Sequence, residues 1–191
     1  MSRYDGLGMD EWNRIRGWFS IEKAMVIQRY VRKLRAASRL VELGSFEGRS
    51  SVAIAAVMPR DSVLHCVDHF KGSLEHHDIG LDVSNIFESF LGNIERFGVR
   101  GRIRVLKSNT IDAASQFADD SVDLLLHDAS HDFESVVADL QVWYPKLKTN
   151  GWLFCDDYEE QWKGVIEAVK HLGLMGHVEA RSLWTHQKPP A

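Results

Sequence analysis

Short apolar runs alternate along this sequence with longer segments in which apolar residues recur at helical spacing. The run Leu124-Leu125-Leu126 constrains the fold most, because successive side chains of a strand point to opposite faces and here both faces are apolar. Such strands occur where helices cover both sides of a parallel sheet. The alternation itself is typical of βαβ units. We therefore predict an α/β protein, a three-layer αβα sandwich around a mostly parallel sheet.

The same patterns predict the individual elements. Five strands and a weaker pair are expected at Arg39 to Leu43, Val63 to Val67, Ile103 to Leu106, Val122 to His127, Trp152 to Cys155, and near Val178 and Trp184. Helices are expected after Ser20, over Ser51 to Met58, over Asn85 to Phe97, in a short segment capped by Thr110, and from Phe133 to Leu147, where Pro145 should distort the end. Ligands of such sheets bind at the carboxyl ends of the strands.

Length and composition limit the class of protein. The 191 residues suffice for one domain at ~150 residues per domain, with an N-terminal helical cap over residues 1–36 and one compact unit over residues 37–191. A net charge of −4 disfavours a nucleic acid partner. No apolar stretch approaches the ~18 residues that cross a bilayer, so no membrane association is expected. Cys66 and Cys155 fit no metal spacing, which predicts reduced core residues in a cytoplasmic protein.

The first strand is followed by a loop that contains two glycines. Gly44 allows a sharp turn, and Gly48 allows the next helix to begin close to a ligand, because neither residue has a Cβ. Glycines in this position also occur as simple turn formers. The spacing differs from GxGxxG, and Glu47 lies where a pyrophosphate would be repelled. A phosphate group is therefore not expected in this loop.

An acidic residue ends the second strand. Asp68 lies 20 residues after Gly48, where a carboxylate can accept hydrogen bonds from both hydroxyls of a ribose. An aspartate at a strand end can equally be a helix cap or a turn former. Together, the glycine loop and Asp68 favour a nucleoside without phosphates.

These residues resemble the first two motifs of class I S-adenosylmethionine-dependent methyltransferases. The resemblance extends through His127-Asp128-Ala129-Ser130-His131-Asp132-Phe133-Glu134, Asp139-Leu140-x-x-Trp143-x-Pro145-x-Leu147-Lys148-x-x-Gly151 and Asp156-Asp157-Tyr158. Over roughly residues 38 to 172 the pattern is similar to small bacterial O-methyltransferases that include enzymes acting on sugar hydroxyls of macrolides. It implies a Rossmann-like sheet of about seven strands. It also implies S-adenosylmethionine as cofactor, held by Glu42, Gly44, Ser45, Gly48, Asp68, Ser108, Asn109 and Asp128.

The resemblance further implies a metal site. Many relatives bind a divalent cation, usually Mg²⁺, through one aspartate after the fourth strand and an acidic pair after the fifth. The corresponding residues here are Asp128, Asp156 and Asp157. Three carboxylates leave coordination positions on Mg²⁺ for substrate oxygens, and without a cation they would repel one another. The alternative is a solvated turn at Asp156 and Asp157, with Asp128 as a helix cap.

The implied catalytic residues are Asp128 and His131. His131 lies where similar catechol-type O-methyltransferases have a lysine that deprotonates the substrate, and histidine is a competent base near neutral pH. Relatives often read Asp-Gly-Asp-His-Ser-Tyr here, whereas this sequence has Ser130 for the second aspartate and Phe133 for the tyrosine. The implied reaction is methylation of a hydroxyl on a small molecule, a sugar or a phenol. The cation would lower the hydroxyl pKa and His131 would take the proton.

Two further groups of residues allow more than one interpretation. His65, His69, His76 and His77 suggest zinc, but their spacing matches no zinc pattern, and a mobile loop over residues 71–83 that folds over the ligands is favoured. Three aromatic residues near the final acids could form a rim for the acceptor or pack in the core: Trp152, Tyr158 and Trp162.

Other functions remain compatible with the sequence. One is a metal-independent methyltransferase with a nitrogen or carbon acceptor, and another is a cofactor-binding protein without transferase activity. A nicotinamide oxidoreductase is disfavoured by the glycine spacing and by Glu47. The sequence does not identify the acceptor. The short cap leaves open whether the subunits of a homo-oligomer complete the acceptor pocket.

Overall fold

The computed structural model describes residues 8–190, without the side chains of Met9 and Leu74. This range contains seven strands: β1 (Arg39–Leu43), β2 (Val63–Asp68), β3 (Ile103–Lys107), β4 (Val122–His127), β5 (Leu147–Cys155), β6 (His177–Ala180) and β7 (Leu183–Gln187). It also contains eight α-helices: α1 (Met9–Trp12), α2 (Ile21–Val31), α3 (Arg49–Ala55), α4 (Leu74–Asp78), α5 (Ile86–Arg96), α6 (Thr110–Ala114), α7 (Phe133–Trp143) and α8 (Lys163–His171). Short 3₁₀ helices lie at Arg100–Arg102, Tyr144–Lys146 and Glu160–Trp162.

The strands form one sheet in the order β3-β2-β1-β4-β5-β7-β6. Strands β1 to β5 pair in parallel, and β7 is antiparallel to both β5 and β6. The order of the chain reverses between β1 and β4, which is where open α/β sheets bind their ligands. The prediction of a mostly parallel, seven-stranded sheet is confirmed.

Two apolar cores cover the two faces of the sheet. The segment before α2 packs on one face together with α2, α3 and α5, whereas α6, α7 and α8 pack on the other. The three leucines of β4 divide between these cores, because Leu124 and Leu126 join the first and Leu125 the second, all fully buried. This division is the physical reason for the unbroken apolar run in the sequence and confirms the three-layer sandwich.

Most predicted helices are present, with shifted ends. Helix α3 spans Arg49–Ala55 rather than Ser51 to Met58, because the loop ends at Gly48. Asn109, not Thr110, caps α6, since its side chain accepts a hydrogen bond from the Asp112 amide at 2.7 Å. Helix α7 ends at Trp143 rather than Leu147, and Pro145 lies in the 3₁₀ turn that follows, where the sequence predicts a distortion. Ser20 caps α2 through the Lys23 amide at 3.3 Å.

Hydrogen bonds hold the segment before α2 against the beginning of α3. The indole of Trp12 donates to the Arg49 carbonyl at 2.9 Å, and the Arg49 guanidinium donates to the Gly17 carbonyl at 2.9 Å and to Asn13 at 3.0 Å. These bonds hold Gly17, Trp18 and Phe19 beside the carboxyl ends of the strands. Among the helices between residues 8 and 190, none combines the length and hydrophobicity of a membrane span. Cys66 and Cys155 are buried and unbridged, as expected.

The chain segments that follow β1 and β4 approach each other closely at a glycine. Gly44 has a φ of +81°, and a Cβ on it would lie 2.0 Å from the Asp128 carbonyl oxygen. Gly44→Ala should therefore lower the free energy of unfolding by more than about 2 kcal/mol, measured by urea denaturation. The matched control is Gly92→Ala within α5, where a Cβ meets nothing within 4 Å. This control should stabilise the protein by about 0.5 to 1 kcal/mol, and equal effects of the two substitutions would contradict the prediction.

Candidate functional site

A cavity of about 560 Å³ opens at the carboxyl ends of β1, β2, β4 and β5. Its volume falls in the range of small-molecule and cofactor sites. Nine of the predicted site residues line it: Gly44, Ser45, Asp68, Ser108, Asn109, Asp128, His131, Asp156 and Asp157. Parallel strands bring these residues together because their carboxyl ends share one edge. Two predicted cofactor residues, Glu42 and Gly48, do not line the cavity.

Glu42 and Gly48 shape the loop from within the protein. Glu42 is fully buried, and its carboxylate accepts hydrogen bonds from the hydroxyls of Ser45, at 2.7 Å, and of Ser51. Burial raises the pKa of Glu42. A Cβ on Gly48 would lie 3.0 Å from the ring of Phe90, so this glycine permits close packing of α3 on α5 rather than close approach of a ligand. Both residues thus shape the loop behind the cavity wall, and their contact with a cofactor remains a prediction.

Asp68 holds the glycine loop in place. One carboxylate oxygen accepts hydrogen bonds from the amides of Ser45 at 2.9 Å and Phe46 at 2.8 Å, and the other accepts from the Phe70 amide at 2.6 Å. A carboxylate has about four acceptor positions, so backbone amides use most of its capacity. Asp68 still lies on the cavity wall, where its remaining lone pair can meet one ribose hydroxyl.

The third strand ending supplies weaker polar groups. Asp112 engages both polar atoms of the Asn109 side chain. Asn109 Oδ1 accepts a hydrogen bond from the Asp112 amide, and Asn109 Nδ2 donates one to the Asp112 carboxylate at 2.6 Å. The Ser108 amide donates to the Asp68 carbonyl at 3.1 Å, which ties β3 to β2 at the cavity. Both residues line the cavity, and their contact with an adenine remains a prediction.

An acidic cluster lies at the ends of β4 and β5, and a lysine neutralises it. Lys23 Nζ lies 2.6 Å from Asp156 Oδ1 and 3.3 Å from Asp157 Oδ1. Burial and the charge of Asp157 raise the pKa of Asp156 to about 6, against the opposing effect of Lys23. Burial, followed by repulsion from the same two aspartates, raises the pKa of Asp128 well above its ordinary value. The three aspartates are therefore close enough to influence one another, and a lysine from α2 contacts two of them. Their sharing of one cation remains a prediction.

His131 lies between two carboxylates. Its Nε2 is 3.0 Å from Asp157 Oδ2 and its Nδ1 is 3.6 Å from Glu75 Oε1. Its ring stacks on Trp162 with 4.3 Å between centroids. Burial opposes protonation, but Asp157 and Glu75 outweigh it and raise the pKa of His131. Helix α8 approaches so closely that a Cβ on Gly164 would lie 2.3 Å from the His131 carbonyl, which fixes the backbone of this residue.

These groups are suited to a divalent cation. Ligand atoms of Asp128, His131 and Asp157 lie within 4.8 Å of one another, and Asp157 has a φ of 56°, which an L-residue rarely adopts. Carboxylates provide the hard oxygen ligands that Mg²⁺ prefers, while imidazole is typical of softer metals. The Lys23 ammonium shows that the cluster stabilises positive charge. The donor set therefore fits a cation, although Asp156 is engaged by Lys23 rather than by the converging group.

Lys23 was not identified as a site residue from the sequence, although its position in α2 indicates a buried side chain. It lies at i−4 from Ile27 and i−8 from Val31, which places it on the buried face of α2. A lysine at such a position requires a buried acidic partner. Glu75 and Trp18 line the cavity and were not predicted as site residues, because they lie in α4 and in the segment before α2 rather than at a strand end.

The structure also bears on the histidine group, the aromatic rim and the loop over residues 71–83. None of the four histidines at positions 65, 69, 76 and 77 belongs to the converging donor group found among residues 8–190. Only Trp162 of the proposed aromatic rim lines the cavity, since Tyr158 stacks on Trp184 and Trp152 packs against Tyr30. The predicted loop over residues 71–83 contains α4, and its mobility remains a prediction.

Comparisons with known proteins agree with this architecture. A family model described as a methyltransferase domain matches residues 41–158, more than half of the chain. The structure is similar to the O-methyltransferase NovP, with a TM-score of 0.72 and 19% identity over 90% of this chain and 81% of that one. It is similar to TomG from Streptomyces achromogenes in complex with S-adenosylmethionine, with a TM-score of 0.65 and 13% identity over 94% and 85% of the chains.

The fold also occurs in a protein that is named for a different activity. A precorrin 8w decarboxylase from Methanobacterium thermoautotrophicum has a TM-score of 0.64 and 14% identity, over 91% of each chain. No curated protein matches the sequence. At these identities the solved structures show the fold, whereas the family model identifies the domain. The chain belongs to the methyltransferase-domain family and is a class I S-adenosylmethionine-dependent methyltransferase.

Proposed function

We propose that this protein transfers a methyl group from S-adenosylmethionine to a hydroxyl oxygen of a small molecule. The observation that carries the proposal is a histidine held between two carboxylates on the wall of the same cavity that Asp68 lines. A base beside an acidic cluster is what activation of a hydroxyl requires. NovP and TomG are both named as O-methyltransferases, which supports oxygen as the acceptor atom.

The chain's own residues hold the two reactants and accept the proton. When bound, S-adenosylmethionine supplies a sulfonium methyl group, which moves to the acceptor oxygen as the neutral thioether departs. The hydroxyl loses a proton in the same process, and neutral His131 accepts it. Asp157 beside Nε2 then stabilises the imidazolium. Alignment of the oxygen, the methyl carbon and the sulfur by the cavity walls can contribute about 7 kcal/mol or more.

We further propose that Asp128, Asp156 and Asp157 hold a divalent cation, with Mg²⁺ as the first candidate. A cation there would lower the pKa of the bound hydroxyl. This ligand set leaves His131 available for the proton and requires Lys23 to withdraw from Asp156. The alternative, a metal-independent methyltransferase, is favoured by one observation, namely that Lys23 already supplies positive charge to the cluster. The free, buried cysteines support the proposed cytoplasmic location.

The test is product formation from labelled S-adenosylmethionine with vicinal diols, both sugars and catechols. We expect an O-methyl product identified by mass spectrometry, loss of turnover in EDTA, and recovery with Mg²⁺. Transfer only to nitrogen or carbon acceptors would contradict O-methylation. Full turnover in EDTA would contradict metal assistance and would leave the Lys23 alternative.

A further inference from the structure

The lysine in the acidic cluster has an uncommon position. Lys23 lies on an eleven-residue helix outside the sheet, is only 5% exposed, and reaches residues more than 130 positions later in the chain. Its ammonium contacts Asp156 at 2.6 Å and Asp157 at 3.3 Å. These are two of the three carboxylates to which we assign the cation.

The carboxylate atoms show why both charges cannot be held at once. Asp157 uses one oxygen for Lys23 and the other for His131, and Asp156 Oδ1 faces the ammonium. A divalent cation ligated by the same oxygens would lie within a few ångströms of the ammonium, at about 2.0 to 2.1 Å from each ligand oxygen for Mg²⁺. Two positive charges that close repel strongly in a buried site. Cation binding and the Lys23 contact are therefore alternatives.

We infer that Lys23 is a tethered cation that competes with a divalent metal for Asp156 and Asp157 and so weakens metal binding by the native protein. The inference rests on the metal site of the proposed function. The buried side chains of Ala24, Ile27 and Val31 hold helix α2 against the core. When a cation binds, the flexible Lys23 side chain therefore moves and the helix does not. Lys23 is thus a positioning residue: it holds both carboxylates in place until a cation takes them.

The experiment measures binding of Mn²⁺ and Mg²⁺ by calorimetry, without cofactor or acceptor. We compare the native protein with Lys23→Met, which removes the charge and keeps an apolar stem. Lys170→Met is the matched control, because Lys170 is exposed at the end of α8 and its loss changes the net charge equally. We expect Lys23→Met to bind at least about tenfold more tightly than the native protein and Lys170→Met to bind like it.

A second variant covers a failure to fold. Lys23→Gln keeps a hydrogen-bond donor toward Asp156 without the charge, and it should show the same gain. If neither variant folds alone, refolding that depends on Mn²⁺ supports the inference, and no recovery with Mn²⁺ overturns it.

The remaining outcomes separate this inference from the proposed function. Equal or weaker binding by the folded Lys23 variants overturns the competition while metal assistance stands. No binding by any variant at millimolar cation overturns both the competition and the metal site. Methyl transfer to a hydroxyl is judged independently, by the labelled product.

Discussion

Replacing His131 with alanine is expected to lower kcat by about 10² to 10⁴ and to leave the affinity for S-adenosylmethionine near that of the native protein. The reason is that the hydroxyl proton then has no positioned acceptor between Asp157 and Glu75. The acidic limb of the pH–rate profile should also disappear. That limb arises because protonation of the His131 ring at low pH removes the base. Burial lowers the pKa of this ring, but Asp157 and Glu75 have the larger effect and raise it. Steady-state kinetics across pH, with calorimetric titration of the cofactor, measure both effects.

A matched histidine elsewhere serves as the control. His177 is exposed on β6 and contacts Glu179, so His177→Ala should leave kcat unchanged. A structural role for His131 would give a different result. The substitution would then lower stability, by about 1 kcal/mol, while the pH profile of the remaining activity kept its shape. That result would remove His131 as the base.

Replacing Asp68 with alanine is expected to weaken S-adenosylmethionine binding at least tenfold. A charge-assisted hydrogen bond to a ribose hydroxyl contributes about 1.5 to 3 kcal/mol. The structure adds a second cause, because the amides of Ser45 and Phe46 lose their acceptor and the glycine loop loses its support. Calorimetric titration measures the affinity, and circular dichroism checks that the variant is folded.

The control for Asp68 is an exposed aspartate of equal charge. Asp119 contacts Lys146 away from the cavity, so Asp119→Ala should leave cofactor affinity unchanged. A folded Asp68→Ala variant with native affinity would place the ribose elsewhere. Preferential binding of NAD over S-adenosylmethionine by the native protein would contradict the cofactor assignment.

The sheet and the position of the site could be predicted because both follow from local patterns. Leu124, Leu125 and Leu126 require two covered faces, and the structure divides them between two cores. Once the sheet is parallel, Asp68, Asp128 and Asp156 must share an edge, since the carboxyl ends of parallel strands lie together. These residues line one cavity because the strands run in the same direction. The alternation of strand and helix patterns in the sequence already indicated that direction.

Side-chain roles were less predictable because they depend on contacts distant in sequence. Glu42 matches a cofactor motif, yet it is fully buried, and one of its carboxylate oxygens accepts hydrogen bonds from the hydroxyls of Ser45 and Ser51. Asn109 follows a strand end, yet it caps α6. Lys23 carried a local signal on the buried face of α2, but its partners lie at the other end of the chain. Spacing alone does not distinguish a side chain that faces a ligand from one that supports the loop beneath it.

The pairing of Lys23 with Asp157 spans 134 positions, so it joins α2 to the acidic cluster at the ends of β4 and β5. The boundary at residue 36 remains a prediction. It would place Lys23 in the cap and Asp157 in the following unit, so the two partners of the ion pair would belong to different units. A fragment that begins after the cap would lose the counter-charge of Asp156 and Asp157, together with the apolar side chains of α2 that cover one face of the sheet. Replacement of the cap would accordingly remove a charge from the acidic cluster along with the helix. The cap is thus joined to the acidic cluster by an ion pair as well as by apolar packing.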